Sequence, residues 1–457
     1  MTNKYKDFVR SKRISAMPSG FDVRRSSIHS KLFDWQGDIV HWGLKKGKCA
    51  FFEDCGLGKT YQQCEWGYRV SEHESRPVLA FAPLAVSMQT QREAAVLGYQ
   101  MAVCRSQDDV QPGLNIANYE MISHFDPSQF AGIILDESSI LKGDGPLRKA
   151  ITGFAARIPY RLACTATPAP NDYMELGNHA EFLGIMSKTE MLAMFFVHDG
   201  GETSKWRVKK HAEADFWKWV ASWAVMIRRP SDLGYDDSAF VLPRLHYHQH
   251  TVPCEWSENY LFPIEAKTLR ERQQARRDSL DERVKLSADL VNSSNDQWLL
   301  WCNLNEESEK LASLIGDAVE VTGSDDDQHK EQAPLRFIDG EIRVLVSKPT
   351  ILGWGMNFQC CSHAASVGLS DSWESLYQVV RRIWRFGQCN ECHMHLITGE
   401  LEGAVVRNIE RKERDAAAMA EAMVAHMREI NTAEIRGTVR ETENYQPRKK
   451  LEVPAWL

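Results

Sequence analysis

The hydrophobic residues of this chain fall into short continuous runs, separated by turn residues and by stretches with helical spacing. In the first half, such runs stand at residues 49–52, 78–82, 133–135 and 162–164. Continuous apolar runs of this length are typical of strands that are buried on both faces of a parallel sheet. Because the runs alternate with helical segments, the pattern predicts an α/β domain.

A second alternating region of the same kind follows near residue 291. Its strand candidates are residues 299–301, 344–346, 366–369 and 394–397. The chain has 457 residues, which is more than one ordinary hydrophobic core needs. The sequence therefore predicts two α/β lobes in tandem, each built on a parallel sheet.

The predicted boundaries divide the chain into five parts. They are an N-terminal extension at 1–30, lobe 1 at 31–230 with a helical insertion near 171–225, a linker with a charged helix at 231–290, lobe 2 at 291–400, and a C-terminal helix with a polar tail at 401–457. The last helix is predicted from three methionines at four-residue spacing, Met419, Met423 and Met427, which indicate one apolar face.

Composition narrows the class of protein. Hydrophobic residues make up 43% and charged residues 26%, which is typical of a globular chain rather than a disordered one. No apolar run approaches the roughly 20 residues that cross a bilayer, so we expect no membrane contact. The eleven scattered cysteines indicate reduced thiols. With a net charge of −7, any contact with nucleic acid must come from a local basic lining and from backbone amides.

The sharpest local signal is a glycine-rich turn between an apolar run and a probable helix. Gly56 and Gly58 allow backbone amides to face a phosphate group, and the helix N-terminus adds a favourable dipole. Lys59 is then predicted to reach the β- and γ-phosphates of ATP, and Thr60 to bind Mg²⁺. Glu53 stands where the general pattern has a glycine, and the alternative is a plain glycine turn with a surface lysine.

Two acids follow the apolar run at 133–135. Asp136 and Glu137 are expected at the carboxyl end of a buried strand, which is where ligands bind in open α/β sheets. Asp136 is predicted to hold Mg²⁺ through its water shell, and Glu137 to polarise the attacking water. The alternative, an acidic exit from a strand, is common in α/β proteins, so the pair is persuasive only together with Lys59 and Thr60.

A basic helix in the second half offers the complementary charge. Gln378, Arg382 and Arg385 fall at positions i, i+4 and i+7 and share one helix face. An arginine that enters a cleft neutralises charge on the γ-phosphate, and known cases gain about 10³ to 10⁵ in rate. The alternative is a solvated basic face, but apolar residues among the arginines indicate partial burial, and a buried cation needs a partner.

Taken in chain order, these motifs resemble those of the superfamily-two helicases, and within them the Swi/Snf-type DNA translocases, over about residues 32–425. The resemblance implies two RecA-like lobes with ATP and Mg²⁺ between them. Residues 33–36 are similar to the family's adenine-recognising motif, in which Gln36 would contact the base. Residues 53–60 are similar to the phosphate-binding motif of the Swi/Snf branch, which also lacks a glycine at the position of Glu53. Arg382 and Arg385 correspond to its arginine fingers.

The resemblance also implies roles in coupling and in DNA binding. Thr165 and Thr167 lie in a segment similar to the motif that links hydrolysis to DNA binding. DNA contacts are implied for three residues, Pro83, Gly355 and Asn357. The chain departs from the family pattern at two places. Ser138 and Ser139 stand where the family usually has alanine and histidine, so the coupling residue Ser139 has no titratable ring. Arg381 stands where the family commonly has a glycine.

Weaker patterns favour structural roles. Cys389 and Cys392 form a CxxC, with Cys360 and His363 upstream, but zinc needs four converging ligands, and reduced structural cysteines are preferred. The tryptophans Trp206, Trp217, Trp219 and Trp223 are expected in a core rather than stacked on bases. The arginine-rich helix near 270–277 is either a DNA contact or a salt-bridged surface helix.

The expected function is therefore a DNA-dependent ATPase that translocates along duplex DNA and remodels DNA or protein–DNA complexes. One alternative is a helicase that separates strands of DNA or RNA, and a second is a nucleotide-gated DNA-binding scaffold with little turnover. Duplex DNA is favoured as the partner over single strands, and we expect a monomer. The compact size is typical of phage and bacterial relatives, so a bacterial or phage-infected host cytoplasm is the expected location.

Overall fold

The structure, a computed structural model, describes residues 15–143, 145–199, 202–253, 269–353, 355–370 and 372–439. It contains two parallel sheets, one in each half of the chain, and so confirms the predicted α/β fold with two lobes. The extreme parts of the predicted N-terminal extension and polar tail, 1–14 and 440–457, lie outside the described residues.

Lobe 1 is built on seven parallel strands in the order β3-β4-β2-β5-β6-β1-β9. The strands are β1 (Lys48–Glu53), β2 (Val78–Ala82), β3 (Met101–Val103), β4 (Leu114–Asn118), β5 (Gly132–Asp136), β6 (Tyr160–Thr165) and β9 (Ala224–Ile227). The accompanying helices are α1 (Asp34–Lys46), α2 (Lys59–Glu74), α3 (Ser87–Val96) and α4 (Pro146–Ala155). Both faces of the central strands are buried, which explains their continuous apolar sequence.

The predicted helical insertion near 171–225 contains strands as well as helices. Its helices are α5 (Leu176–Leu183), α6 (Lys188–Phe195) and α7 (Glu213–Ala221). An antiparallel hairpin of β7 (Phe196–Asp199) and β8 (Glu202–Val208) stands between them, and β9 then joins the sheet beside β1. Trp217, Trp219 and Trp223 are buried in this part of the core, as the preferred interpretation expected.

Lobe 2 has six parallel strands in the order β10-β15-β14-β11-β13-β12. The strands are β10 (Leu245–Val252), β11 (Trp298–Cys302), β12 (Ala318–Val321), β13 (Val344–Ser347), β14 (His363–Val367) and β15 (Cys392–Gly399). The helices are α8 (Leu269–Asp278), α9 (Leu280–Asn292), α10 (Asn305–Leu314), α11 (Asp327–Ile338), α12 (Pro349–Leu352) and α13 (Trp373–Ile383).

This lobe starts earlier than the predicted boundary at 291. β10 already pairs with β15, and α9 packs its apolar side on the sheet. Within the arginine-rich stretch Arg276 forms an internal ion pair with Glu402, and on the following helix Arg283 forms a buried ion pair with Glu307 at 2.7 Å. The side chains of Arg270 and Arg272 lie outside the described residues.

A long C-terminal helix, α14 (Gly403–Val439), leaves lobe 2 and returns to lobe 1, where it packs on α1, α7 and β9. Met423 and Met427 are buried on its inner face, in agreement with the predicted amphipathic helix. Asn431 caps the outer edge of the first sheet: its Oδ1 accepts from the Met226 N–H at 3.3 Å, and its Nδ2 donates to the Ala224 carbonyl at 3.0 Å.

Replacing Asn431 with alanine is expected to lower the melting temperature. The change leaves a buried N–H and a buried carbonyl of β9 without partners, which costs about 1 to 3 kcal/mol for such a group. Thermal unfolding followed by circular dichroism checks this. Glu429→Ala, on the exposed side of the same helix, is the control and should leave the melting temperature unchanged. Equal melting temperatures for the two variants would contradict the role of Asn431.

Two global observations complete the description. Every cysteine among the described residues is free. None of the helices in the described ranges is long and apolar enough to span a membrane.

Candidate functional site

The glycine-rich turn lies between β1 and α2, at the carboxyl edge of the first sheet. Gly56 has φ +86° and Gly58 has φ +75°, which is the left-handed region that favours glycine. Close neighbours add a second constraint: a Cβ on Gly58 would stand 2.5 Å from Gln36 Nε2, and one on Gly56 would stand 2.7 Å from the backbone N of Phe386. Both glycines are therefore required by backbone conformation and by space.

The two residues after the turn begin α2. Lys59 Nζ donates to the carbonyl oxygens of Glu53 at 2.7 Å and Asp54 at 3.0 Å, so its ammonium lies inside the curve of the turn. The Thr60 hydroxyl binds the carboxylate of Glu93, a residue of α3. The lysine charge and the threonine oxygen thus stand side by side at a helix N-terminus, where an anion is stabilised.

Gln36 ties α1 to this turn. Its side chain is 4% exposed; its Oε1 accepts from the Phe33 N–H at 2.9 Å, and its Nε2 donates to the Leu57 carbonyl at 2.8 Å. An amide group has further donor and acceptor capacity beyond these two bonds. The glutamine is therefore held rigidly beside the turn.

The two predicted acids end the neighbouring part of the sheet. Because β5, β6 and β1 are adjacent, their carboxyl ends bring Asp136, Thr165 and Glu53 to one edge. Asp136 Oδ1 accepts from Gln63 Nε2 at 2.8 Å. Burial raises the pKa of Asp136, whereas the Gln63 hydrogen bond opposes that rise and the charge of Glu137 adds to it.

Glu137 has an unusual backbone and a fixed side chain. Its φ is +62°, in the left-handed region that costs a non-glycine residue free energy and that is frequent at functional sites. Thr165 Oγ1 donates to Glu137 Oε1 at 2.6 Å, and Ser139 Oγ donates to the same oxygen at 3.0 Å. The Thr167 N–H in turn donates to Thr165 Oγ1 at 3.1 Å. The three predicted coupling residues are thus linked to this carboxylate.

The arginine helix of lobe 2 faces the turn across the inter-lobe cleft. Arg382 is 3% exposed and bound within its own lobe, since it donates to the Gln378 carbonyl, to Gln378 Oε1 at 2.7 Å and to the Met356 carbonyl at 2.8 Å. The prediction that Arg385 shares a helix face with Gln378 and Arg382 is wrong, because α13 ends at Ile383 and Arg385 follows its cap residue Trp384. This position brings Arg385 nearer the turn: a Cβ on Gly56 would stand 3.3 Å from the Cβ of Arg385. The two arginines therefore differ in how far they enter the cleft.

Three residues complete a contact that the sequence interpretation missed. Asp54, within the turn, accepts from Arg381 Nη2 at 2.7 Å and also from the Tyr377 hydroxyl. The Arg381 guanidinium is stacked on Trp384, 4.7 Å from the ring centroid. The available signal was the spacing of Tyr377 and Arg381, which places both on one face of α13 beside the predicted finger face. In the sequence, Arg381 stands out only as a departure from the glycine that is common in the resembling family.

A second missed residue is Glu93. It is half-buried between the lobes and accepts hydrogen bonds from Gln89 Nε2 at 2.9 Å and from Thr60. Burial raises the pKa of Glu93, and the nearby charge of Arg385 opposes part of that rise. No local pattern in the α3 sequence marks this carboxylate, because only its position after folding makes it part of the cleft.

The three residues with implied DNA contacts lie along the seam between the lobes. Pro83 immediately precedes the turn into α3. A Cβ on Gly355, which has φ +78°, would stand 2.3 Å from a methyl carbon of Val86, and the Asn357 N–H donates to Gln89 Oε1 at 2.9 Å. The segment around Gly355 and Asn357 is therefore in direct contact with the segment that follows Pro83.

Glu53 offers a test by pH. This carboxyl is fully buried, and burial raises its pKa to about 7, against the charge of Lys59 and a hydrogen bond from Gln62. Its folded pKa thus exceeds the unfolded value, so the stabilisation is complete at acidic pH and is lost as pH rises towards and through 7. We expect the free energy of unfolding of Glu53→Gln to exceed that of the parent by on the order of 1 to 3 kcal/mol at pH 8 and to equal it at pH 4.5, so its melting temperature should be higher only at pH 8.

Thermal unfolding of both proteins across this pH range measures the difference. Glu282→Gln, an exposed carboxyl on α9, is the control for the loss of one charge and should follow the parent at every pH. A constant difference between Glu53→Gln and the parent from pH 4.5 to 8 would contradict the raised pKa.

Comparisons with known proteins address lobe 2 most directly. Residues 282–387 match the family described as the helicase conserved C-terminal domain, and this match confirms the predicted resemblance to helicases. The segment includes the whole of α13. No curated protein matches the chain. Among solved structures, the Sulfolobus solfataricus SWI2/SNF2 ATPase core in complex with dsDNA is similar with 16% identity, 91% of this chain and 98% of that chain covered, and a TM-score of 0.40.

Proposed function

We propose that this chain, which carries a helicase conserved C-terminal domain, is a DNA-dependent ATPase of the Swi/Snf type that translocates along duplex DNA. The observation that carries the proposal is the meeting of two half-sites across one cleft. Lobe 1 supplies the turn with Lys59 and the acids Asp136 and Glu137, and lobe 2 supplies α13 and Arg385, which follows the end of that helix.

The chemistry of the cleft fits a nucleotide with Mg²⁺. The Thr60 hydroxyl and the Asp136 carboxylate are hard oxygen donors, the ligand type that Mg²⁺ prefers, and they would hold the ion together with water and phosphate oxygens. The bound ion would neutralise phosphate charge. Gln378 Nε2 and Arg385 Nε are buried N–H donors that find no acceptor within the described part of the chain, and a phosphate oxygen would satisfy such donors.

The protein groups divide the work of hydrolysis. Lys59 exchanges its two carbonyl partners for phosphate oxygens, which a mobile ammonium does at little cost. Glu137 accepts hydrogen bonds at one carboxylate oxygen from Ser139 and Thr165, so its other oxygen is oriented to polarise a water molecule. Arg385 stabilises charge on the γ-phosphate as the bond to the leaving group lengthens.

Coupling to movement would follow from the same contacts. Thr165 connects the carboxylate of Glu137 to the backbone of Thr167, so a change at the γ-phosphate alters the end of β6. ATP bound by both lobes shifts the population towards closure, and loss of the γ-phosphate reverses that shift. Pro83, Gly355 and Asn357, on the seam that opens and closes, would contact the DNA backbone, which makes stepping nearly independent of sequence.

One assay series tests the proposal. ATP hydrolysis is measured with duplex DNA, single strands, forks and RNA, and a duplex that carries a third strand reports translocation. The proposal expects duplex DNA to stimulate hydrolysis and the third strand to be displaced without unwinding of the duplex. Unwinding of forks would support the strand-separating helicase instead. Hydrolysis that does not rise with any nucleic acid would refute the proposal and favour the nucleotide-gated scaffold.

A further inference from the structure

One side of the second sheet carries a cluster of imidazoles that we call the histidine face. Its six members come from three adjacent strands and are His246, His248 and His250 of β10, His363 of β14, and His393 and His395 of β15. Alternate residues of a strand point to the same side, and the strand register pairs His246 with His393 and His363 with His393. The chain has 15 histidines, so two fifths of them share this surface.

The rings of the histidine face contact one another through nitrogen atoms. His248 Nε2 lies 3.0 Å from His393 Nδ1, and His250 Nε2 lies 3.0 Å from His395 Nδ1. The two rings of each pair are nearly parallel, at centroid separations of 5.3 and 5.2 Å. All four rings are half-buried, so solvent and small ions reach them.

The four imidazoles of the two pairs favour the neutral form. Burial lowers the pKa of His248, His250 and His393, and the neighbouring imidazoles lower each of them further. The pKa of His395 falls to about 4 for the same reasons. The charged groups that face the cluster are Glu391, whose carboxylate binds His246 Nε2 at 3.0 Å, and Asp296 near His363. Neutral imidazole is the form that ligates metal ions.

The spacing of the paired nitrogens suits a metal ion. Metal–nitrogen bonds of about 2.0 to 2.1 Å at a tetrahedral angle separate two ligand nitrogens by roughly 3.3 Å. The observed 3.0 Å is within a few tenths of an ångström, so a small rotation of either ring admits an ion in place of the shared proton. Within the described ranges no three metal-ligating groups converge on one point, so water would complete the coordination of such a pair.

We propose that the histidine face binds a divalent transition-metal ion of the zinc, nickel and copper(II) class through His248 and His393, with His250 and His395 as a second pair. Imidazole nitrogen is a preferred ligand for this class, whereas Mg²⁺ prefers oxygen. The cysteines of the sequence pattern are not part of the site, because their thiols lie against backbone carbonyls elsewhere: Cys360 at Phe337, Cys389 at Gly387 and Cys392 at Ile383. The inference does not depend on ATP hydrolysis.

The location separates this site from the cleft. His363 and His393 stand at the amino ends of their strands, whereas α13 follows the carboxyl end of β14. β10 is also an edge strand and directly follows the connection from lobe 1. A metal ion bound by both β10 and β15 would stabilise the pairing of these two strands at the edge of the sheet. The protein should therefore melt at a higher temperature with the metal than without it.

The experiment uses the full chain without a polyhistidine tag, cleared of metal with a chelator. Cu²⁺ is added, and electron paramagnetic resonance reports whether nitrogen is bound; Zn²⁺ binding is then measured by calorimetry, together with the melting temperature. We expect nitrogen hyperfine structure, and an affinity for Zn²⁺ that falls at least about tenfold in a His248→Gln, His393→Gln double variant. His124→Gln, an exposed histidine of lobe 1, is the control and should bind as the parent does.

Two outcomes would overturn the proposal. The first is a copper spectrum of the parent protein without imidazole nitrogen, which is decisive even when the double variant fails to fold. The second is Zn²⁺ binding that is equal in the parent, in His124→Gln and in a variant in which all four paired histidines are changed to glutamine, since the metal would then be held elsewhere. Neither outcome bears on the ATPase, which is assayed separately with Mg²⁺.

Discussion

Glu137→Gln is expected to reduce ATP turnover by about 10³-fold or more while ATP still binds. The amide keeps the size of the side chain and its hydrogen bonds with Ser139 and Thr165, but it lacks the negative charge that polarises water. Steady-state hydrolysis with saturating duplex DNA measures the loss, and a fluorescent ATP analogue measures binding, which should stay within about threefold of the parent.

Two variants sharpen this test. Lys59→Ala should also abolish turnover, but through lost nucleotide affinity, because the charge beside the turn is removed. Thr165→Val keeps the carboxylate but removes one of the donors that orient it, so we expect a partial loss of about tenfold. Normal hydrolysis in Glu137→Gln would remove the assignment of this residue as the group that polarises water.

Arg385→Ala is expected to lower kcat by about 10³-fold or more with a much smaller change in KM. Arg385 lies against the glycine turn, and its buried Nε has no hydrogen-bond partner among the described residues, so its guanidinium can meet charge on the γ-phosphate. Rapid mixing and steady-state hydrolysis separate kcat from KM. We expect the melting temperature of Arg385→Ala to stay close to that of the parent. Among the described residues the Arg385 side chain makes one hydrogen bond, which is long at 3.4 Å, to the Met356 carbonyl.

The neighbouring arginines of α13 are the matched controls. Arg382→Ala should lower the melting temperature as well as kcat, because this guanidinium makes three hydrogen bonds inside lobe 2. Arg381→Gly restores the residue common in the resembling family and breaks the contact with Asp54, so we expect only a several-fold loss of activity from weaker lobe closure. A loss in Arg381→Gly as large as that in Arg385→Ala would contradict the assignment of Arg385 as the finger.

Arg381 and the two predicted fingers, Arg382 and Arg385, have different partners although they are close in sequence. All three arginines lie within five residues of sequence and have the same chemistry. Their surroundings nonetheless differ. Arg381 binds a carboxylate of the other lobe, Arg382 donates to three acceptors of its own lobe, and Arg385 lies beside the glycine turn with one long hydrogen bond to Met356. Helical periodicity assigns faces, but the docking of one lobe on the other assigns partners.

Features that depend on residues adjacent in the chain could be predicted without the structure. Continuous apolar runs predicted four of the seven strands of the first sheet and four of the six strands of the second, since a strand buried on both faces needs apolar residues at every position. The strands that the runs did not predict are β3, β4, β9, β10 and β12. The glycine turn before Lys59 and the acid pair after β5 were found for the same reason, because each depends on residues adjacent in the chain. The predicted tandem fold and the C-terminal helix are accordingly confirmed.

Tertiary structure alone decided the contacts between distant segments. Asp54 and Arg381 are more than 300 residues apart, Glu93 enters the cleft only after α3 has packed, and the histidine face exists only because β10 pairs with β15 across more than 100 residues of chain. The alternation of side chains along one strand shows which residues share a side of the sheet, but it does not show which strand lies next to it. The physical reason is that strand order and lobe docking are set by the summed burial of many apolar side chains, a quantity that no short stretch of sequence contains.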